Sequence, residues 1–215
     1  MQTSRRSNEQ RREKSIRQVL SSALFFFVSR GYDNSTLDDI AARANLTKGA
    51  VYFYFKNKLT LLHALLDEAE ALYTDIFQEL EVGALEPEDQ LENFIDWCAD
   101  TGARHQDRLV LPILISLQAI GKEVSVVEHI QRMYGRYHGA MARIITEGKE
   151  KGVFDQQLAV RERAAVLVAL TDGMLLEWYR FSDQLNGAKL ASNAKHQIFY
   201  GLSVGSRRTT TGTAS

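Results

Sequence analysis

Apolar residues recur at three- and four-residue spacing along almost the whole chain, which is the period of an amphipathic α-helix. No stretch keeps the apolar–polar alternation of a β-strand. The pattern therefore predicts an all-α protein with about nine helices. They are expected at residues 8–30, 37–44, 48–55, 57–80, 88–105, 109–119, 122–148, 158–182 and 189–202.

Residues that begin or end helices support these boundaries. Ser7 and Gln10 have the spacing of a capping box at the start of the first helix. Gly31 follows that helix and can take the left-handed conformation that ends it. The two prolines, Pro87 and Pro112, each stand where a helix can begin.

Two short helices with a tight turn between them follow Gly31. Thr36 is placed to cap the first of the pair, with Asp39 completing a capping box. Asn45 occupies the turn and tolerates a left-handed backbone better than most residues with a side chain. Thr47 is placed to cap the second short helix. Together these features predict a helix-turn-helix.

The second short helix carries the residues expected to meet DNA. Lys48 and Gly49 lie in its first turn, the part of such a helix that enters the major groove. Gly49 costs about 1 kcal/mol of helix propensity, which indicates a close approach of another molecule. Of the aromatic residues that follow, Phe55 is expected in the core, whereas Tyr52 and Tyr54 are expected to offer hydroxyl groups to phosphates.

The distribution of charge agrees with a nucleic-acid-binding head. Residues 1–58 carry 11 Lys+Arg against 5 Asp+Glu, and the rest of the chain carries 15 against 22. A basic head on an acidic body is typical of a DNA-binding module joined to a second domain, but composition alone fits a solvated basic surface equally well. The basic arm before the first helix either contacts DNA in the minor groove or is a solvated terminus. Its residues are Arg5, Arg6, Arg11, Arg12 and Lys14.

The stretch from Gly31 to Leu66 resembles the TetR family of transcriptional regulators. Its DNA-binding domains read much like T-x-x-x-I-A-x-x-A-x-[V/L]-[S/T]-K-G-x-[V/L]-Y-x-[H/Y]-F-x-x-K-x-x-L. Two positions depart from the common pattern: Asn45 replaces the usual turn glycine, and Tyr54 stands where many members have histidine. The matching residues are Thr36, Ile40, Ala41, Ala44, Leu46, Thr47, Lys48, Gly49, Val51, Tyr52, Tyr54, Phe55, Lys58 and Leu61.

The resemblance implies a cytoplasmic homodimer that binds double-stranded DNA. Residues 1–58 would form the helix-turn-helix domain and residues 59–202 a helical effector-binding and dimerisation domain, while 203–215 have too little apolar content to pack. The last two long helices would pair across the dimer axis. A small-molecule effector of unknown identity would release the repressor from a palindromic operator. An alternative is a DNA-bound architectural or division-associated protein whose second domain binds a protein partner.

The resemblance also implies which residues meet DNA. Those facing bases or nearby phosphates would be Thr47, Lys48, Gly49, Ala50, Tyr52 and Phe53. Those holding the DNA backbone would be Thr36, Tyr54 and Lys58. Two heads on one face of a duplex should lie about 34–36 Å apart, or a multiple of that distance.

The second domain offers candidates for an effector pocket, since large and titratable groups lie on its apolar helices. Each can equally be part of the core, and Trp178 and Phe181 can belong to the dimer interface. Gly135 and Gly139 indicate close helix packing or a pocket wall. The candidate pocket residues are Trp97, His105, Tyr134, Tyr137, His138, Met174 and Trp178.

Other chemistry finds little support in the sequence. The lone cysteine, Cys98, suits a reducing compartment and is either a redox sensor or inert packing. The five histidines form no i,i+4 pair and have no cysteine nearby, so no metal site is expected. No phosphate loop, nucleophile elbow or nucleotide fingerprint is present, so neither an enzyme nor a cofactor is predicted. No apolar run is long enough to span a membrane.

Overall fold

The fold is known from a computed structural model, which describes residues 2–82, 85–119 and 123–203. Within these ranges the chain forms eight α-helices and no β-strand, apart from one isolated bridge between Phe154 and Ser203. The prediction of an all-α fold is therefore confirmed. The helices are α1 (Gln2–Arg30), α2 (Leu37–Arg43), α3 (Lys48–Tyr54), α4 (Lys58–Val82), α5 (Pro87–Ala119), α6 (Val124–Glu150), α7 (Val160–Arg180) and α8 (Gly187–Leu202).

Eight helices replace the predicted nine because two of them form one bent helix. The segments expected at 88–105 and 109–119 are joined in α5, where His105 has a non-helical backbone (φ −138°, ψ 34°). Pro87 begins α5, as predicted. The prediction for Pro112 is wrong, since it lies inside the helix. A proline there lacks the amide that would bond to the Arg108 carbonyl, but the flanking residues keep the chain helical.

The first helix begins earlier than predicted. It starts at Gln2, so Ser7 and Gln10 lie within the helix and the predicted start near Asn8 is wrong. The end was predicted correctly, since Gly31 has a left-handed backbone with φ of 81°. Residues 204–215 of the predicted tail lie outside the described residues, as do the side chains of Arg5 and Arg6.

The chain separates into two compact units. Unit 1 consists of Met1–Thr74 and His105–Met133, and unit 2 of Asp75–Arg104 and Tyr134–Ser215. The helix-turn-helix therefore shares its unit with parts of α4, α5 and α6. The functional boundary expected after residue 58 stays a prediction. No helix in the described part of the chain is long and apolar enough to cross a membrane.

The core of unit 1 holds the short helices in place. The apolar stripe of α1, including Val19, Ala23 and Phe27, is buried, as the spacing predicts. Ile40 of α2 and Val51 of α3 are fully buried as well. Such burial fixes two helices that are too short to be stable alone.

The core of unit 2 is rich in aromatic rings. Phe77, Phe94 and Tyr137 form a cluster with ring centroids 5.2–6.5 Å apart. By contrast, a Cβ added at Gly135 or Gly139 would meet nothing within 4 Å. The interpretation of these two glycines as close packing against another helix of the chain is therefore wrong.

Candidate nucleic-acid interface

The geometry of the helix-turn-helix follows from its caps. Thr36 Oγ1 accepts a hydrogen bond from the Asp39 amide (3.1 Å) and donates one to the Asp39 carboxylate (2.8 Å). Thr47 Oγ1 accepts from the Ala50 amide at the start of α3 (3.2 Å). Asn45 has φ of 54° in the turn between the helices. The predicted caps at Thr36 and Thr47 and the predicted turn at Asn45 are therefore confirmed. The hydroxyl proton of Thr36 is donated to the Asp39 carboxylate within the protein.

One face of α3 is anchored and the other faces outward. Val51 is fully buried and Phe55 is 7% exposed, which confirms Phe55 as a core residue. Tyr52 is 45% exposed and Phe53 is 80% exposed, and the rings of Phe53 and Tyr54 touch edge to face. Tyr52 and Phe53 thus place two aromatic side chains side by side on the outward face, where another molecule can contact both.

Lys48 lies at the start of this outward face. Its ammonium group is 2.8 Å from the Asp38 carboxylate of α2, and both side chains are largely exposed. This hydrogen bond and the negative charge of Asp38 raise the pKa of Lys48. Water screens such a pair strongly, so Lys48 can exchange Asp38 for a base edge or a phosphate at little cost.

Gly49 lies beside Lys48, and no packing contact among the described residues requires glycine at this position. A Cβ added there would meet no atom of the described residues within 4 Å. We therefore expect Gly49→Ala to raise the free energy of unfolding by up to about 1 kcal/mol through helix propensity. If DNA approaches this backbone closely, the same methyl group will weaken DNA binding.

Denaturant titration and fluorescence anisotropy with operator DNA measure the two effects separately. The expected combination is a more stable protein with lower DNA affinity. A Gly49→Ala protein that is more stable and binds DNA as before would show that DNA does not come close to this residue.

Lys58 has a different role from the one implied by the resemblance. Its ammonium group donates hydrogen bonds to the carbonyls of Tyr32 (2.7 Å), Ser35 (2.9 Å) and Asp33 (3.3 Å). It also lies 4.3 Å from the centre of the Tyr32 ring, and burial lowers the pKa of Lys58. An ammonium group has three protons, and these carbonyls use all of them. Lys58 therefore fastens α4 to the loop after α1 and is not available to phosphate in this arrangement.

A basic groove lies between α1 and α2. Lys14, Arg17 and Arg43 line this open groove of about 410 Å³. The Arg43 guanidinium is held 3.6 Å from the centre of the Phe25 ring. Such a groove suits phosphate contacts. Lys14 belongs to the basic arm expected near DNA, whereas Arg17 and Arg43 were not predicted, because only the fold brings Arg43 beside α1.

Comparison with known proteins assigns these features to a family. The family model described as "Bacterial regulatory proteins, tetR family" matches residues 19–65. The crystal structure of the MbdR regulator from Azoarcus sp. CIB is similar over 88% of this chain and 100% of that one, with a TM-score of 0.80 and 34% sequence identity. The chain belongs to the TetR family.

Other relatives agree with this assignment. The HTH-type transcriptional repressor BepR of Brucella suis biovar 1 is 24% identical over 163 residues, which cover 74% of this chain and 78% of BepR. The regulator FadR of Bacillus subtilis, solved in complex with stearoyl-CoA, has the same fold with a TM-score of 0.71 at 21% identity, covering 86% of this chain and 98% of FadR. As a TetR-family member, the protein is a DNA-binding transcriptional regulator.

In unit 2 of this TetR-family protein, two predicted effector residues lie in a partly buried polar cluster. Tyr134 donates a hydrogen bond to the Asp172 carboxylate (2.8 Å). The Tyr137 hydroxyl contacts the Thr171 hydroxyl. The sequence reasoning missed Thr171 and Asp172, although two adjacent polar residues interrupt the apolar run of α7.

The other predicted effector residues are more scattered. Trp97 stacks on Phe94 (centroids 5.9 Å apart), and exposed His138 meets the edge of Tyr134. Met174 and Trp178 line a cavity of about 30 Å³, which has room for little more than water. His105 belongs to unit 1, so it is not grouped with the rest.

Cys98 lines the same cavity as Met174 and Trp178. Burial, as the main cause, and the nearby charge of Asp172 raise the pKa of the Cys98 thiol well above its usual value. The thiolate is the reactive form of cysteine, so this environment disfavours reactivity. Of the two interpretations of Cys98, the structure favours inert packing.

Asp172 makes the stability of the protein depend on pH. Burial raises the pKa of Asp172 to about 6, against the opposing effect of the Tyr134 hydrogen bond. In an unfolded chain an aspartate titrates near pH 4, at about 3.9. The folded protein holds this proton more tightly, so its stability falls as the pH rises from about 4 to about 6 and stays reduced above.

Asp172→Asn should remove this loss because an amide oxygen still accepts from Tyr134 and carries no charge. We expect the free energy of unfolding to rise by about 1–2 kcal/mol at pH 7.5, with little difference from the wild type at pH 4. Urea denaturation at both pH values measures the effect. An equal change at both pH values would mean that packing, and not ionisation, governs the site.

Proposed function

We propose that this TetR-family protein is a cytoplasmic repressor that binds a palindromic operator as a homodimer and leaves it when a small-molecule effector binds. The outward face of α3 is the observation that carries the proposal. Lys48, Gly49, Tyr52 and Phe53 are all exposed there. Val51 and Phe55 are buried on the other side and hold the helix rigidly.

Each exposed group suits one kind of DNA contact. The Lys48 ammonium can donate to guanine acceptors, and Phe53 can pack against a thymine methyl group. Backbone at Thr47, Gly49 and Ala50 can approach the groove closely. The hydroxyls of Tyr52 and Tyr54 can donate to phosphates, which fix the register of the helix. Thr36 contributes by holding α2, through its cap, in the position that supports α3.

A homodimer buries apolar surface of each subunit at its interface, and the last two helices expose apolar surface of this kind. Val166 on α7 is 53% exposed, and Tyr200 on α8 is 57% exposed. Phe181, just after α7, is also exposed. Trp178 is half-buried, and its ring lies against Gly102 and Gly187 within unit 2. Two subunits paired through α7 and α8 would present two heads to the half-sites of a palindrome.

The effector is proposed to bind in unit 2, around Tyr134, Tyr137, Thr171 and Asp172. These hydroxyl and carboxyl groups lie among aromatic rings, a combination typical of small-molecule sites. The cavity at Cys98 and Trp178 is too small for an effector, so binding needs side chains to move. The stearoyl-CoA in the related FadR structure makes acyl-CoA thioesters the first compounds to test.

The test is fluorescence anisotropy with a labelled palindromic fragment and a panel of metabolites that includes acyl-CoA thioesters. Saturable binding with two chains per fragment, lost on addition of one compound class, is the expected result. Substitution Tyr134→Phe should shift the effector concentration needed for release and leave DNA affinity unchanged. Operator affinity that no compound changes would contradict the effector part of the proposal. Many dispersed genomic sites without regulated promoters would instead favour an architectural protein.

A further inference from the structure

Helices α4 and α6 bring three potential metal ligands together within unit 1. Asp67, Glu70 and His129 each offer one ligand atom, and these atoms all lie within 4.8 Å of one another. His129 Nε2 is 3.5 Å from Asp67 Oδ1 and 3.6 Å from Glu70 Oε2. Both distances are too long for good hydrogen bonds. They are close to the separation of about 3.4 Å between ligand atoms in a tetrahedral zinc site with bonds of about 2.0–2.1 Å.

The burial of His129 is the second observation that points to a ligand. Its side chain is only 4% exposed, and its Nε2 atom has no hydrogen-bond partner within the described ranges. Buried polar atoms in native proteins are almost always paired, because an unpaired one costs roughly 1–3 kcal/mol. This nitrogen points at two carboxylate oxygens, which is the environment that a cation bound to it would need.

His63 and Ser125 support the orientation of the His129 ring. His63 Nδ1 lies 3.1 Å from His129 Nδ1, and His63 Nε2 lies 3.2 Å from Ser125 Oγ. If His129 donates its Nδ1 proton to His63, its Nε2 lone pair faces the carboxylates. Metal-binding histidines commonly donate their other ring N–H in this way, which fixes the tautomer and the ring orientation.

We propose that Asp67, Glu70 and His129 bind a divalent transition-metal ion of the zinc type. The imidazole nitrogen favours zinc over magnesium or calcium, which prefer oxygen ligands alone. Asp67 is 70% exposed, so the ion can enter from solvent and keep a water molecule as a further ligand. The site would join α4, which follows the DNA-reading helix, to the first half of α6 and so stabilise unit 1.

The sequence alone does not reveal this site, because its histidines form no i,i+4 pair on one helix and have no cysteine nearby. Asp67 and Glu70 lie one turn apart on the same face of α4, whereas His129 lies on another helix, some sixty residues later. A three-residue spacing of carboxylates is common on helix surfaces, so only the fold reveals the third ligand.

Isothermal titration of the full-length, chelator-treated protein with Zn²⁺, in the absence of DNA, tests the proposal. The expected result is one saturable site per chain and a melting temperature that rises with Zn²⁺. Asp67→Asn and Glu70→Gln should each weaken Zn²⁺ binding by about tenfold or more. These side chains are at least partly exposed, so both variants should fold. Asp75→Asn, two turns further along α4, is the matched control and should bind Zn²⁺ like the wild type.

Two results would overturn the proposal. One is the absence of saturable Zn²⁺ binding to a wild-type protein with a native circular dichroism spectrum. The other is unchanged affinity in Asp67→Asn and Glu70→Gln, which would place the bound ion elsewhere. Because DNA takes no part in the titration, either result leaves the proposed repressor function untouched.

Discussion

Replacing Tyr52 with alanine is expected to weaken operator binding by about 5- to 150-fold, as the loss of about 1–3 kcal/mol of contact energy implies. The Tyr52 side chain is 45% exposed and lies on the outward face of α3. It contributes little to the core, so the free energy of unfolding should change by less than about 0.5 kcal/mol. Anisotropy with operator DNA and a denaturant titration measure the two quantities.

Tyr52→Phe is the matched control because it removes only the hydroxyl group. If the hydroxyl contacts a phosphate, this variant should lose part of the affinity for every DNA sequence alike. If instead the ring contacts a base, the Tyr52→Phe protein should keep most of its preference for the operator over other DNA sequences. A Tyr52→Ala protein that binds the operator with wild-type affinity would refute the assignment of α3 as the DNA-reading helix.

Gly148→Ala is expected to cause the largest loss of stability among the glycine substitutions. A Cβ at Gly148 would lie 2.1 Å from Cδ2 of the Phe154 ring, which is 2% exposed. Neither the helix backbone nor a buried ring can move away freely, so the strain should cost about 1–3 kcal/mol. For a chain of this size the melting temperature should fall by roughly 2–4 °C per kcal/mol.

Gly139→Ala on the same helix is the control. A Cβ there would meet nothing within 4 Å, so alanine should raise stability through helix propensity, by up to about 1 kcal/mol. Denaturant titration of both variants should therefore give changes of opposite sign. Equal changes would show that the Phe154 ring does not close over Gly148.

The local features of the DNA-binding head could be predicted because each depends on residues close in sequence. Thr36 and Thr47 cap the helices that follow them, and Asn45 takes the left-handed turn. The burial of Phe55 also follows, since one side of a short helix must face the core. Caps, turns and periodicity need no knowledge of the rest of the fold.

Features that depend on distant residues could not be predicted in this way. Lys58 matches the family pattern, but only the fold shows that its protons go to carbonyls more than twenty residues away. Asp172 has a raised pKa only because the fold buries it, and this burial outweighs the opposing effect of the Tyr134 hydrogen bond. His129 becomes a potential ligand only when α6 packs beside α4.

The predicted helix boundaries were wrong where two local sequence signals competed with each other. The Ser7–Gln10 pattern is a valid start signal, but polar residues before it also favour helix, and α1 begins at Gln2. Pro112 is a valid start signal as well, yet the bend of α5 lies at His105. Single signals of this kind move a helix end by several residues without changing which residues are buried.

The central claim is that α3 reads a specific DNA sequence. The most direct measurement is selection of fragmented genomic DNA by the purified protein, with retention followed at rising salt and excess nonspecific competitor. If α3 reads a specific sequence, a few fragments will survive and share a palindrome, and the Tyr52→Ala protein will fail to retain them. If all fragments dissociate alike as the salt rises, binding is phosphate attraction alone, and the claim is contradicted.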